Sequence, residues 1–171
     1  MLKTRVYIDG ANLYKSFKSE TETLDYAKFY QYLKDKYNPE KIYLFTGFIP
    51  HCKKLYDTWT NMGYIIRFKE TFRNEAGEIK GNVDAEIVLQ SVEESYEESY
   101  ECGILVSGDG DFSCLIDFWK RKEINPKILA PKLASCSYFL RKQNVSLIFL
   151  DNERLKPKLI KRISEKAPDR D

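Results

Sequence analysis

The sequence predicts an α/β fold, a three-layer sandwich with a mainly parallel central sheet. Short runs rich in β-branched and aromatic residues alternate with longer helical patterns along the chain. Strands that alternate with helices indicate βαβ units, which place helices on both faces of one sheet. A chain of 171 residues, 43% of them apolar, is long enough to bury one proper core.

The individual elements follow from these patterns. The strand-like runs are residues 5–8, 42–48, 64–68, 103–107, 127–130 and 146–150. The helical patterns are residues 11–18, 25–36, 51–61, 83–99, 111–122 and 133–142. Residues 73–82 are polar and contain two glycines, which indicates a hairpin or a flexible loop.

The composition excludes several classes of protein. The net charge is only +2, so any nucleic-acid binding must come from local clusters of basic residues. Four cysteines without C-x-x-C spacing and a single histidine argue against structural zinc. Reduced thiols in an intracellular protein are the simplest account of the cysteines. No apolar stretch approaches the ~18 residues that span a bilayer, and no signal-peptide pattern opens the chain. The sequence therefore predicts a cytoplasmic protein without membrane association.

Aspartates follow two of the predicted strands and begin one of the predicted helices. Asp9 comes directly after the first strand in "VYIDGANLY", and Asp84 lies in a first helical turn in "KGNVDAEIVL". Asp109 and Asp111 stand between glycines after another strand, in "LVSGDGDF". Because sites in open parallel sheets form at the carboxyl ends of strands, we expect Asp9 and this pair to meet. The glycines are expected to let the backbone turn sharply so that both carboxylates approach one site.

A cation is the expected partner of such a group of carboxylates. Gathered carboxylates repel one another, and either some take up protons or a metal neutralises them. Oxygen-only ligands suit Mg²⁺ or Mn²⁺, which bridge to phosphate oxygens. No G-x-x-x-x-G-K-[ST] loop occurs and no G-x-G-x-x-G follows the first strand, so nucleoside-triphosphate and dinucleotide binding lose their usual support. The chemistry that remains is metal-assisted attack of water on a phosphodiester.

Each aspartate also has a purely structural interpretation. Asp9 alone fits an ordinary turn before a helix that Asn12 caps. Asp84 alone fits a carboxylate that complements the helix dipole, worth roughly 0.3–1 kcal/mol, and Asp111 fits a helix cap worth about 1 kcal/mol. Asp109 adds repulsion without such a structural gain, so the four together favour the metal site.

The three motifs "YIDGANLY", "KGNVD" and "LVSGDGDF", in this order, resemble the NYN-domain family of PIN-like nucleases, in the branch of the LabA-like proteins. The resemblance covers about residues 4–150. It implies a PIN-like, Rossmann-like sandwich with an acidic crevice, and a ribonuclease that depends on Mg²⁺ or Mn²⁺. It makes residues 1–152 a single NYN nuclease domain and leaves 153–171 as a basic C-terminal helix and frayed tail. By matching position, the catalytic and metal-binding acids are Asp9, Asp84, Asp109 and Asp111.

Two further residues are assigned to the site through the resemblance. Asn12 is similar to the family's asparagine in the first motif, which implies that it orients Asp9 or a metal-bound water. Ser107 opens the third motif, which implies a hydroxyl in the site. The second motif departs from the family pattern: "KGNVD" carries an insertion, and Gln90 stands where a further aspartate often occurs. The resemblance therefore leaves the shell of a second metal undefined.

Cations beside the crevice are needed to hold phosphates. Lys80 resembles the family's lysine before the second motif, and we expect it to contact phosphate. Lys15 from the first helix and Arg73 from the polar loop are expected to flank the mouth. Tyr14 is a candidate for stacking on single-stranded bases, with a structural role equally open. The basic residues 156–162 are interpreted as a solvated helix face rather than an RNA arm.

Three hypotheses of function follow. The first is a metal-dependent ribonuclease acting on RNA, preferably single-stranded, with a homodimer left open. The second is a non-catalytic NYN domain that binds RNA or a protein partner; the complete set of four aspartates argues against it. The third is a phosphatase with an aspartyl nucleophile, which needs D-x-D after the first strand, whereas this chain has "DGAN".

Overall fold

A six-stranded parallel sheet forms the centre of the computed structural model. The structure describes residues 2–69, 72–73, 79–80 and 83–163, with only the backbone for 72–73 and 79–80. In chain order the strands are β1 (Thr4–Asp9), β2 (Glu22–Leu24), β3 (Lys41–Gly47), β4 (Ile65–Lys69), β5 (Phe72–Arg73), β6 (Ile79–Lys80), β7 (Cys102–Val106), β8 (Asn125–Ala130), β9 (Ser146–Phe149) and β10 (Ile160–Arg162). The order in the central sheet is β4-β3-β1-β7-β8-β9, and its strand pairs are parallel.

Helices cover both faces of this sheet. They are α1 (Gly10–Phe17), α2 (Tyr26–Tyr37), α3 (Lys53–Met62), α4 (Asp84–Glu97), α5 (Ser113–Arg121), α6 (Tyr138–Arg141) and α7 (Lys156–Leu159). Short 3₁₀ turns precede α3 at Pro50–Cys52 and α5 at Gly110–Phe112. Among the helices of the described ranges, none has the length and apolar character that a membrane crossing requires.

Two buried clusters separate the three layers. On one face α1, α2 and α3 bury apolar side chains such as Leu13, Leu33 and Trp59 against the sheet. On the other face α4 and α5 bury side chains such as Ile87 and Trp119. This arrangement confirms the predicted three-layer α/β sandwich with a parallel sheet.

The strand order reverses at the centre of the sheet. β1 lies between β3 and β7, and the chain leaves β1 towards β3 before it returns on the other side as β7. The register pairs Ile8 with Val106, so Asp9 and Ser107 are the next residues on the two neighbouring strands. A crevice at the carboxyl ends of β1 and β7 is the position at which open α/β sheets bind their ligands.

A buried polar network lies at the opposite, amino-terminal end of the same strands. The carboxylate of Glu94 in α4 is 3% exposed and accepts hydrogen bonds from the Tyr7 hydroxyl at 2.7 Å and from the Tyr43 hydroxyl. The Lys41 ammonium lies 3.2 Å from the same carboxylate and the Arg5 guanidinium 3.8 Å from it. The network thus joins α4 to β1 and β3.

The structure differs from the predicted elements in two places. Only Tyr138–Arg141 is helical within the predicted helix 133–142. The segment after residue 152 forms the four-residue α7 and then β10, which pairs antiparallel with β2, instead of one basic helix. The predicted hairpin at 73–82 appears as the antiparallel pair β5–β6, while residues 74–78, 81–82 and the tail 164–171 lie outside the described part. The domain division at residue 152 stays a prediction.

Candidate metal centre

Asp9 is buried at the junction of β1 and α1. It ends the central strand, is 5% exposed, and acts as the N-cap of α1, because its Oδ1 accepts the backbone N–H of Asn12 at 3.0 Å. Its other oxygen, Oδ2, accepts the hydroxyl of Ser107 at 3.1 Å. The sequence allowed Asp9 to be part of a turn before a helix capped by Asn12. The turn and the helix are present, but Asp9 rather than Asn12 caps the helix.

Ser107 and Asn12 connect the junction of β1 and α1 to the loop that follows β7. The Ser107 Oγ donates to Asp9 and accepts the backbone N–H of Asp109 at 3.1 Å. The Asn12 Oδ1 accepts the backbone N–H of Gly108 at 3.1 Å. The Asn12 side chain thus positions the loop after β7, while its backbone amide donates to Asp9.

Three carboxylates meet beside the loop that follows β7. Asp84, Asp109 and Asp111 each offer an oxygen, and these oxygens lie within 4.8 Å of one another. Asp84 comes from the first turn of α4 on one face of the sheet, while the other two follow β7. Asp84 and Asp109 are half-buried and Asp111 is exposed. Oxygen ligands at such mutual distances suit a hard divalent cation.

The charges of the neighbouring carboxylates affect the pKa of Asp9. Burial raises the pKa of Asp9 above its ordinary value of 3.8, while the hydrogen bonds from Asn12 and Ser107 lower it. The negative charges of Asp84 and Asp109 raise the pKa of Asp9 further. The four aspartates predicted from the sequence therefore share one crevice, as a cluster of three and a buried fourth.

The two aspartates of the third motif have different local roles. Asp109 caps the 3₁₀ turn that follows it, because its Oδ1 accepts the backbone N–H of Asp111 at 3.0 Å. The expectation that Asp109 brings no structural gain is therefore wrong. The helix α5 begins at Ser113 without a side-chain cap, so the alternative of Asp111 as its cap is wrong. Asp111 is left exposed at the edge of the cluster.

Gly110 of this motif serves a purpose that the sequence did not predict. Among the described glycines only Gly63 has a positive φ, so Gly108 and Gly110 do not supply a left-handed turn. A Cβ on Gly110 would lie 2.4 Å from the Ser137 Oγ and 3.0 Å from its Cβ. Gly110 is therefore needed for the close approach of the segment that starts α6.

The predicted RNA-binding residues lie in two regions. Tyr14 and Lys15 are exposed on α1 and line a cavity of about 560 Å³ between α1, β3 and α3. Gly10, the residue after Asp9, also lines this cavity. Arg73 and Lys80 belong to the paired strands β5 and β6, but their side chains lie outside the described part of the chain.

Sequence reasoning missed the segment that borders the acidic loop on its other side. The Ser137 backbone N–H donates to the Gly108 carbonyl at 2.9 Å, and the Phe139 ring would lie 3.4 Å from a Cβ on Gly110. The available signal in the sequence was the adjacent aromatic pair Tyr138–Phe139. In the structure only Leu140 of the short α6 is buried, and both aromatic side chains are exposed.

A sequence model of the NYN domain matches residues 3–151 of the chain. This chain belongs to the NYN-domain family. The family is nuclease-like, with a PIN-like fold, and the resemblance predicted from the three motifs is confirmed at this level. The four aspartates, Asn12 and Ser107 all lie within the matched part of this NYN domain.

A comparison with solved structures confirms the fold of the NYN domain. A crystal structure of a protein of unknown function from Vibrio parahaemolyticus RIMD 2210633 superposes with a TM-score of 0.73. The alignment covers 94% of this chain and 96% of the other, at 19% sequence identity, a level at which the likeness concerns the fold alone. No curated protein matches the chain.

Proposed function

We propose that this NYN domain is a metal-dependent ribonuclease that hydrolyses RNA phosphodiester bonds. The observation that supports it most is the meeting of Asp84, Asp109 and Asp111, with oxygens within 4.8 Å, at the strand-order reversal. Membership of a nuclease-like family also supports this proposal. We also propose that the chain belongs to the LabA-like branch, on its three motifs.

The residues of the crevice fit a divalent cation. Their donors are carboxylate oxygens, which match Mg²⁺ or Mn²⁺ better than the softer metals that thiolates select. The pKa of Asp9 is raised by burial and by its acidic neighbours, so a cation nearby would offset a cost that the folded chain otherwise carries. We propose that Asp84, Asp109 and Asp111 hold the cation and that Asp9 completes the site.

When bound, such a cation would supply a water of lowered pKa and charge neutralisation for the phosphodiester. The chain's own residues hold the site in shape. Ser107 and the Asn12 amide fix both oxygens of Asp9, and Asn12 fixes the loop that carries Asp109. The low exposure of Asp9, 5%, argues against its use as a phosphatase nucleophile.

We propose that basic and aromatic residues around the crevice hold the RNA. Lys15 and Tyr14 are exposed on α1, the helix that begins directly after Asp9. We keep Lys80 and Arg73 as phosphate contacts on the basis of the sequence. A single-stranded substrate, a homodimer and a cytoplasmic location remain predictions.

The test is an RNA cleavage assay with Mn²⁺, Mg²⁺ or EDTA. We expect cleavage with either metal, none with EDTA, and its loss in Asp109→Asn and Asp84→Asn. Asp117→Asn is the matched control, because Asp117 is an exposed aspartate of α5 outside the cluster. Equal cleavage by wild type and Asp109→Asn would refute the proposal. RNA binding without cleavage, unchanged by these substitutions, would support the non-catalytic alternative.

A further inference from the structure

Two neighbouring aromatic side chains are exposed on α6. Tyr138 is 66% exposed and Phe139 53%, although the helix has only four residues and Leu140 anchors it in the core at 1% exposure. Their ring centroids lie 6.2 Å apart at an interplanar angle of 66°. Single exposed apolar residues are common on protein surfaces, but an adjacent pair of large rings leaves a continuous apolar surface.

This aromatic pair adjoins the acidic loop through direct contacts. The N-cap of α6, Ser137, donates its backbone N–H to the Gly108 carbonyl at 2.9 Å. Its side chain also fills the space beside Gly110, where a Cβ would lie 2.4 Å from the Ser137 Oγ. Phe139 lies against the same glycine, which stands between Asp109 and Asp111. The pair therefore borders the candidate metal centre on the β8 side.

A positive charge accompanies the rings. The Lys142 ammonium lies 4.7 Å from the Phe139 ring centroid and 5.6 Å from that of Tyr138. Arg141 is exposed beside it. Aromatic faces next to cations are the combination that holds unpaired bases and the phosphates between them.

We propose that Tyr138, Phe139 and Lys142 form a stacking platform for unpaired nucleobases of an RNA strand whose phosphate lies at the acidic cluster. The platform rests on the proposed function, because it names the substrate form that the same site takes. Bases in a duplex are paired and stacked on each other, so only a single-stranded segment presents faces to the two rings. Single-stranded RNA is thereby the preferred substrate.

The platform differs from a protein-docking surface in two respects. Lys142 lies over both rings and supplies the charge that a phosphate backbone requires. The contacts of Ser137 and Phe139 with the acidic loop place the rings beside the proposed cleavage point rather than on a remote face. Self-association through the same surface is the competing outcome in the test.

The test measures binding of a fluorescent single-stranded RNA and of its duplex in EDTA, where the proposed cleavage does not proceed. We expect Tyr138→Ala/Phe139→Ala to weaken single-strand binding about fivefold or more, the effect of losing one stacked base, and to leave duplex binding unchanged. Tyr138→Phe keeps the ring and should bind as wild type does. Tyr96→Ala is the matched control: Tyr96 is 69% exposed with the Lys122 ammonium 3.9 Å from its ring centroid, near the C-terminal end of α4.

The outcomes separate the platform from the ribonuclease proposal. With Mn²⁺, the double variant should raise KM for single-stranded RNA while kcat is retained, because the rings bind bases rather than reacting atoms. A double variant that binds single strands as tightly as wild type overturns the platform even if the enzyme cuts RNA. So does a change of oligomeric state without a change of RNA affinity. Loss of binding in a protein that never cleaves RNA supports the platform and refutes the ribonuclease.

Discussion

Charge repulsion in the acidic cluster should make the protein more stable when Asp109 is replaced by asparagine. The oxygens of Asp84, Asp109 and Asp111 lie within 4.8 Å of one another. At this separation two unit charges repel by about 0.9 kcal/mol in water and about 3.5 kcal/mol at an effective dielectric constant near 20. Because Asp111 is exposed and the other two are half-buried, the lower part of this range applies.

The net effect of Asp109→Asn follows from three contributions. Removing one charge that faces two others should stabilise the fold by about 2 kcal/mol. The asparagine Oδ1 still accepts the backbone N–H of Asp111, which now lies at 3.0 Å, so the local cap is retained. The lost interaction of a carboxylate with the start of the 3₁₀ turn that leads into α5 subtracts up to about 1 kcal/mol. We expect a net gain of about 1 kcal/mol in EDTA.

Divalent metal should make the wild type more stable than Asp109→Asn, the reverse of the order expected in EDTA. A cation that binds only the folded wild type adds about 2.7 kcal/mol when its concentration is 100 times the Kd, and Asp109→Asn should gain much less. Urea unfolding at low salt, with EDTA or with Mn²⁺, measures both effects, and Asp117→Asn should stay within about 0.5 kcal/mol of wild type. A variant that is less stable than wild type in EDTA, or an equal gain from Mn²⁺ in both proteins, would refute the reasoning.

Two further predictions concern buried carboxyl groups. Folding raises the pKa of Asp9 above 3.8, so the stability that this group contributes is present below pH 3.8 and is lost as the pH rises through its folded pKa. Urea unfolding in EDTA should therefore show the wild type losing stability relative to Asp9→Asn from pH 3.8 towards neutrality. A stability difference that stays constant over this pH range would contradict the prediction. Glu94→Gln should cost about 3 kcal/mol in urea unfolding, because it leaves the positive charges of Arg5 and Lys41 less compensated. RNA cleavage by the folded variant should stay unchanged, and a loss below about 1 kcal/mol would show that Glu40 and Glu98 suffice as partners.

The central sheet was predictable because its strands are short apolar runs between helical patterns. The run at residues 103–107 became β7 at Cys102–Val106, and the run at 42–48 became β3 at Lys41–Gly47. Strands buried on both faces carry such continuous apolar runs, which a sequence shows directly. The three-residue strands β2 and β10 gave no such signal, because they are partly polar and pair only with each other across the fold.

The crevice was predictable in outline and not in detail. Asp9 and Asp109 could be placed together because both follow strands of a parallel sheet. Which carboxylates share a centre depends on side-chain contacts, such as the Ser107 hydroxyl that holds the Asp9 Oδ2 at 3.1 Å. The start of α6 likewise depends on the contact of Ser137 with the Gly108 carbonyl. This contact joins the segments that follow the neighbouring strands β7 and β8, so no local sequence pattern reveals it.

The hydrogen bond between Ser107 and Asp9 also bears on synthesis of the protein. It joins residues 98 positions apart, on the two strands that complete the centre of the sheet. A nascent chain on the ribosome contains Asp9 and then Asp84 before β7 emerges and pairs with β1. The aspartates of an incomplete chain therefore remain scattered along an unfinished sheet. Any chemistry that needs them together begins only after the second half of the domain has been made and folded.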